Sequence, residues 1–360
     1  MSGALTGIKI ADFSRVLAGP YATMLLADLG AEVTKVERPG VGDETRGWKP
    51  PVDSQGRSTY FLSVNRNKSG LALDLSNPAD QVRARELILD SDVVIENFGA
   101  GGMAKFGSDY KTLKEIKPKL IYCSITGFGS SEVAAQLPGY DMLVQAMSGL
   151  MHVTGDESGE PTKAGVAVID VIAGLHACTG ILAALRARDE QGIGQLVEIN
   201  LFSSALSALT NQSGAFIASG IDPKRLGNHH PSIVPYGIFT AKDRSIAIAI
   251  GNDRQFAKFS DLLDITDPKY SENSQRVKNR EALIKLINEK LQMKVASEWI
   301  NLFRNNQIPA GPINTIAEAF KFAESIGLQP IIDIAGSKSV ANPIKLSQTP
   351  AEYLKAPPNL

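Results

Sequence analysis

Cysteine and histidine are scarce: the 360 residues include two cysteines, Cys123 and Cys178, and four histidines, His152, His176, His229 and His230. Neither type recurs at metal-ligand spacing, and both cysteines sit in apolar surroundings. This excludes a zinc centre or a disulfide framework and predicts buried thiols in a reducing, cytoplasmic compartment. No metal is expected, and His176, within an apolar helical stretch, reads as a core residue. An excess of charge of one sign is also missing. The formal net charge is −1, so nothing in the overall balance favours nucleic acid or an anionic membrane, and any basic site has to be local. The opening "MSGALTGIKIADF" runs into a strand-like segment with no charged leader. No later run reaches membrane-spanning length without a charge or a turn, so a soluble protein is expected. Internal repeats and low-complexity blocks are absent.

What the chain does have is apolar mass. Hydrophobic residues make up 43% against 21% charged, enough at this length for two domains with ample core. "GIKIADFS" is strand-like, "AGPYATMLLADLGA" helical and "EVTKVER" strand-like again. The alternation continues through a helix around "ADQVRARELILDS", a strand "DVVIENF", a helix ending near "LKEIKPKL" and a strand "IYCSITGFG", which predicts an α/β fold with a parallel sheet covered by helices. Two apolar helices follow, "YDMLVQAMSGLM" and "DVIAGLHACTGILAALRAR", then the apolar segment "LVEINLFSSALSAL". Residues 1–212 are therefore assigned to a large α/β domain. Residues 213–235, rich in turn formers, read as a linker or active-site loop. Residues 236–325 form a smaller α+β domain with a hairpin turning at Lys242–Arg244, and 326–360 form a C-terminal segment returning to the large domain.

Several stretches could carry chemistry. The first βα junction, "DFSRVLAGPYA", lies where a doubly wound sheet binds its ligand, yet it lacks the GxGxxG fingerprint, having only Gly19 of that pattern, with Pro20 at the helix start. Glu37 could be taken for the acid that binds a ribose hydroxyl in nicotinamide-dependent oxidoreductases, but the adjacent Arg38 argues for an extra phosphate. Arg66, Lys68 and Lys105 add cations expected in loops near the same sheet edge. "DVVIENFGAGG" offers free backbone N–H groups and an aromatic face, suited to a phosphate beside a flat ring or simply to a helix start with Phe98 in the core. The run "GVAVIDVIAGLHACTG" holds one carboxylate, Asp170, with no basic neighbour. On the residues alone it is either a helix cap or a reactive group.

In this order "RVLAGPYATMLLADLGAEVTKVERPGVGDETR", "SVNRNKSGLALDL", "VVIENFGAG", "GYDMLVQAMSGLM", "GVAVIDVIAGLHACTGILAAL", "VPYGIF" and "IPAGPIN" resemble the class III coenzyme A transferases and the related acyl-CoA racemases, across nearly the whole chain. The resemblance implies a Rossmann-like large domain, a small domain and an interlocked homodimer. It also implies an enzyme with no tightly bound cofactor, acting on acyl-CoA and a carboxylic acid. By position it puts Leu17, Ala18, Arg38, Leu73, Asp74, Asn97, Phe98 and Lys105 on the coenzyme, with Lys105 where the family more often has arginine. Ala100 replaces a common proline, which relaxes its turn. Asp170 matches the catalytic carboxylate, which would pass through a mixed anhydride and an aspartyl-CoA thioester.

Both branches keep this aspartate. A racemase needs a second acid/base, a histidine in "GHD", whereas this chain reads "GYD" with Tyr140 before Asp141. A phenol is a poor base at neutral pH but a good hydrogen-bond donor. The resemblance therefore implies an acyl-CoA:carboxylate CoA-transferase, with Tyr140 in oxyanion stabilisation or simply packed at a helix start, and Asp141 as a helper. A 2-methylacyl-CoA racemase is the alternative; an NAD-dependent oxidoreductase and a non-catalytic coenzyme-binding protein stand further off. In the loop "GNHHPSIVPYG", Asn228, His229 and His230 replace the glycine run of formyl-transferring relatives, and they are expected to select the acceptor carboxylate.

Overall fold

The computed structural model describes residues 3–99 and 101–360; Ala100, the relaxed turn position, lies outside them. Strands and helices alternate from the start: β1 (Lys9–Asp12), α1 (Ala18–Asp28), β2 (Glu32–Glu37), α2 (Thr59–Ser63), β3 (Lys68–Ala72), α3 (Pro78–Asp90), β4 (Val93–Glu96), α4 (Tyr110–Ile116) and β5 (Ile121–Thr126). Then come α5 (Asp141–Met147), α6 (Leu150–Val153), α7 (Val168–Gln191), β6 (Leu196–Asn200), α8 (Leu201–Ala208) and α9 (Asn211–Ser219). The chain divides into two units. The larger runs to Leu150 and resumes over Lys163–Asp222 and Gln329–Leu360, and the smaller takes Met151–Thr162 and Pro223–Leu328.

In the larger unit the six strands pair in parallel in the order β3-β2-β1-β4-β5-β6. Successive side chains leave a strand on opposite faces, and both faces here are apolar. Ile10, Val33, Val93 and Ile95 pack under α1 and α7, while Ala11, Val36, Val94 and Tyr122 pack with Ile88 of α3 and Leu113 of α4. Burial on both sides explains why β4 reads "VVIE" with no exposed position. Among the described residues α7 is the one helix long and apolar enough to cross a membrane, yet Ala173, Ala177, Ile181 and Ala184 lie in this core. Gly174 lets α7 close on α1: a methyl group there would sit 2.6 Å from the Ala18 carbonyl oxygen. The first turn of α7 is thereby drawn to the β1–α1 turn.

Two of the expected edge cations are structural instead. Arg66 is buried and donates to Asp28 at the end of α1 at 2.6 and 3.0 Å, and to Ser339 at 2.8 Å. Lys68 opens β3 rather than sitting in a loop, and its ammonium is buried against Asp12 at 3.1 Å and Asn65 at 2.9 Å. Burial pulls Lys68 below the usual lysine range, against the opposing charge of Asp12. The C-terminal stretch adds a hairpin, β10 (Ile331–Ile334) with β11 (Ser337–Val340). It then runs back over the larger unit, where Asn342 donates to Asp28 and the Glu352 N–H to the Asp28 carbonyl.

The smaller unit holds an antiparallel sheet of β7 (Tyr236–Thr240), β8 (Ser245–Ala249) and β9 (Ala310–Pro312). Around it lie α10 (Asp253–Leu262), α11 (Asn273–Lys278), α12 (Arg280–Leu291), α13 (Ala296–Asn305) and α14 (Ile316–Ser325). Phe239, Ile246 and Ile248 meet Phe256, Phe259, Leu283, Trp299 and Phe303 in its core. The β7–β8 turn falls at the expected residues, since Thr240 pairs with Ser245.

Candidate active site

The strand order reverses between β1 and β4, so the connections leaving these two strands diverge and open a crevice at the carboxyl edge. After β1 the backbone makes an unusual turn. Val16 has φ 68°, a left-handed conformation that a β-branched residue adopts only when its surroundings impose it. Asn97, just after β4, supplies one restraint: its side chain accepts from the Arg15 N–H at 2.8 Å and donates to the Arg15 carbonyl at 2.7 Å. Asp43 supplies another, accepting from the Val16 N–H at 3.2 Å while held by Lys35 at 2.9 Å and the Thr45 hydroxyl at 2.7 Å. Lys35 also donates to the Ser14 carbonyl at 2.9 Å. The turn therefore rests on a buried, fully bonded set of charges.

Two clefts open above it. One, of about 400 Å³, is lined by Leu17, Ala18, Asn97, Phe98, Tyr140 and Asp170. The other, of about 420 Å³, is lined by Arg38, Leu73, Asp74, Phe98 and Phe106. Arg15, Glu44 and Phe98 line both, so the clefts meet at the Arg15–Glu44 ion pair of 2.6 Å, where the guanidinium lies 5.2 Å from the Phe98 ring centre. Every coenzyme-side residue expected from the sequence except Lys105 lines one of these clefts. Lys105 is exposed on the turn at 102–106 and lines neither. Arg38 is exposed, and among the described residues its side chain makes no hydrogen bond or ion pair, although its charge adds to the Ser76 hydrogen bonds in holding the Asp74 carboxyl below the usual range; its fork is open to an anion. Glu37 is engaged instead by Arg46 at 2.7 Å and by the Asp43 N–H at 2.9 Å, so it is not available to a ribose.

Asp170 sits in the first turn of α7, and it is not the cap of that helix. The residue at the cap position is Ala167, which has no side-chain acceptor. The Ile169 and Asp170 N–H groups donate instead to Asp141 Oδ1 on α5, at 2.8 and 3.2 Å. These are the donors an ordinary N-cap side chain would satisfy. Asp141 thus takes the capping role, and no donor reaches the Asp170 carboxylate among the described residues. Burial, with the Asp141 charge adding to it, pushes the Asp170 carboxyl up to about 7. Such a group still ionises at neutral pH but gains little stabilisation as an anion, which makes it a strong nucleophile for a carboxylate. Tyr140 precedes α5, lines the same cleft and is 67% exposed, so its hydroxyl is open to a substrate.

The sequence reading did not single out Glu96 or Tyr60. Glu96 closes β4 and accepts from the Phe98 N–H at 2.8 Å; burial pushes it up to about 7. Tyr60 on α2 is pushed up to about 12 by burial and then by Asp170 and Asp141. Asn228, His229 and His230 belong to the smaller unit. The His229 ring meets Phe239 edge-on with centroids 5.9 Å apart, and the His230 ring lies 5.4 Å from Tyr236. Burial, then Arg280, holds His229 below the usual histidine range.

The sequence matches CoA-transferase family III over residues 5–360. It is 41% identical to the succinyl-CoA:glutarate CoA-transferase of Mus musculus, over 99% of this chain and 84% of that protein. To the succinate–glutarate CoA-transferase of Agrobacterium fabrum it is 39% identical, over 99% and 92%. The crystal structure of a CAIB/BAIF family protein from Brucella suis, 40% identical, shares the fold with a TM-score of 0.90 over 100% of this chain and 97% of that one. A carboxylate without donors in a cleft at the sheet switch point, and likeness of this extent along the whole sequence, lead to one assignment: the chain belongs to CoA-transferase family III.

Proposed function

We propose that this enzyme moves coenzyme A between carboxylic acids with Asp170 as the nucleophile. The observation that carries the reading is the setting of that side chain: it lines the cleft and is deprived of donors by Asp141, and burial pushes its carboxyl up to about 7. An Asp170 oxygen attacks the donor thioester carbonyl and the C–S bond breaks, leaving a mixed anhydride and CoA thiolate. The thiolate attacks the aspartyl carbonyl, the anhydride C–O bond breaks, and the donor leaves as a carboxylate with Asp170 now the thioester. The acceptor carboxylate then runs the same steps in reverse. One negative charge is passed along throughout and no net proton is needed. Tyr140 donates to the oxyanion formed at each attack, and its place where a racemase needs histidine supports transfer over racemisation. Both named relatives carry succinate and glutarate in their names, so short dicarboxylic acids are the substrate class to test first.

Incubation with succinyl-CoA followed by hydroxylamine or borohydride should leave a modification at Asp170, detected by mass spectrometry. Loss of the α-proton to solvent without such an adduct would establish a racemase instead.

In this reading the coenzyme runs from Asp170 past Leu17 and Ala18 to Arg38, with Asn97 and Phe98 between and Lys105 at the margin. Arg38→Ala should raise the KM for acyl-CoA about tenfold or more with kcat nearly unchanged, since a phosphate contact is equal in ground and transition states. For Asn228, His229 and His230 the proposed role is selection of the acceptor; alanine at both histidines should raise the acceptor KM, and KM values unchanged from the parent enzyme across acceptors would reject that role. A homodimer accounts for the exposed apolar residues Phe216, Ile217 and Ile221 of the larger unit's α9 region and is checked by light scattering. The two free, buried cysteines suit a reducing, cytoplasmic setting.

A further inference from the structure

Asp141 performs its capping role only because its carboxylate is held in one orientation, and the residue that holds it is Gln145, one turn along α5. Gln145 is fully buried. Its Nε2 donates to Asp141 Oδ2 at 2.5 Å, opposite the oxygen that accepts the two α7 donors. The same nitrogen lies 3.4 Å from the Val166 carbonyl, and Oε1 accepts from the Ala164 N–H at 2.8 Å. One amide therefore ties together the helix carrying Asp141 and the segment leading into α7. With both of its ends engaged, the amide cannot flip without breaking a bond. The Asp141 carboxylate, bonded on both oxygens, has the same restriction.

We infer that Gln145 is a positioning residue for the transfer reaction, acting through Asp141 to aim the first turn of α7 and keep two helix N–H groups away from the Asp170 carboxylate. This rests on Asp170 being the nucleophile. If Asp141 turned away, the freed donors would bond to Asp170 or to water. The first outcome stabilises the anion that must attack, and the second lets water into the cleft.

The polarity of the pair allows a reciprocal exchange. In Gln145→Glu two carboxylates face each other, and in Asp141→Asn two NH₂ groups do. In the double variant, Asn at 141 donates to Glu at 145, still accepts from α7, and Glu still accepts from Ala164; only the long 3.4 Å bond to the Val166 carbonyl is lost. Each single variant should lose about tenfold or more in kcat, with KM for succinyl-CoA changed less than about twofold, and the double variant should recover to within about threefold of the starting kcat. A role limited to folding would lower the melting temperature without this split. Singles that keep kcat, or a folded double variant that stays inactive, overturn the inference. The rate of adduct formation at Asp170 separates the two levels. No adduct in the unmodified enzyme defeats the nucleophile assignment, whereas equal rates in it and both single variants defeat the role of Gln145 alone.

Discussion

Asp170→Asn is expected to lower CoA transfer by about 10⁴-fold or more while leaving acyl-CoA binding within a few fold. The amide is nearly isosteric and keeps the cleft, but it cannot form an anhydride, and no neighbouring carboxylate can replace it because Asp141 is bonded on both oxygens. The unmodified enzyme should show an acid limb in kcat/KM near pH 7, where Asp170 titrates. The charged and titratable groups around it are Asp141 on α5, Tyr60 on α2 and Tyr140. Tyr60 is pushed to about 12 and stays neutral across this range. Activity is present above the limb and falls as the carboxyl takes up its proton. Stability runs the other way. A carboxyl whose folded pKa is raised favours the fold while protonated, and that contribution is lost as pH rises toward 7. The Asn variant should therefore be the more stable protein above pH 7, by roughly 2 kcal/mol after discounting for residual contact with water. The gap should close toward pH 4. A variant no more stable than its parent at pH 8, in thermal melts, would show that the carboxylate is not desolvated.

The largest loss of stability is expected at the other end of α1. Asp28→Ala should cost about 3–5 kcal/mol, because it leaves the buried Arg66 guanidinium without its counter-charge. Asn67 and Asn342 lose an acceptor in the same step, at 2.8 and 3.1 Å. Chemical denaturation should show the drop, with kcat per folded molecule unchanged, since Asp28 ends α1 whereas the clefts lie at its beginning. Adding Arg66→Met should restore part of the loss, because an apolar side chain of similar length removes the stranded charge. If the double variant is no better than Asp28→Ala, the cost lies in the asparagine bonds instead.

These two sites mark where sequence reading succeeds and where it stops. The β1–α1–β2 opening, β4, β5 and the β7–β8 hairpin follow from short-range patterns of apolar and turn residues, and pattern is what periodicity reports. β3 was harder to see. "KSGLA" has no clear apolar alternation, since Ser69, Gly70 and Ala72 are all exposed and its buried end is the charged Lys68. "YDMLVQAMSGLM" reads as one helix but divides at Gly149, whose φ is 89°, into α5 and α6. Arg66 and Lys68 carry charges that ordinarily belong outside, and their partners lie 38 and 56 residues away, at a distance no local pattern encodes. Asp170, the proposed nucleophile, stood out in the sequence through its apolar setting and the family resemblance. Its freedom from capping did not, because the cap comes from Asp141, 28 residues before the first donor it satisfies.

The clamp of Asn97 on Arg15 holds main-chain atoms only. Since the N–H and carbonyl of residue 15 are what Asn97 grips, the course of the turn does not depend on which side chain stands there. Position 15 faces both clefts, so it offers an engineer a place to change charge or size at their junction, while the backbone that carries Leu17 and Ala18 keeps its path.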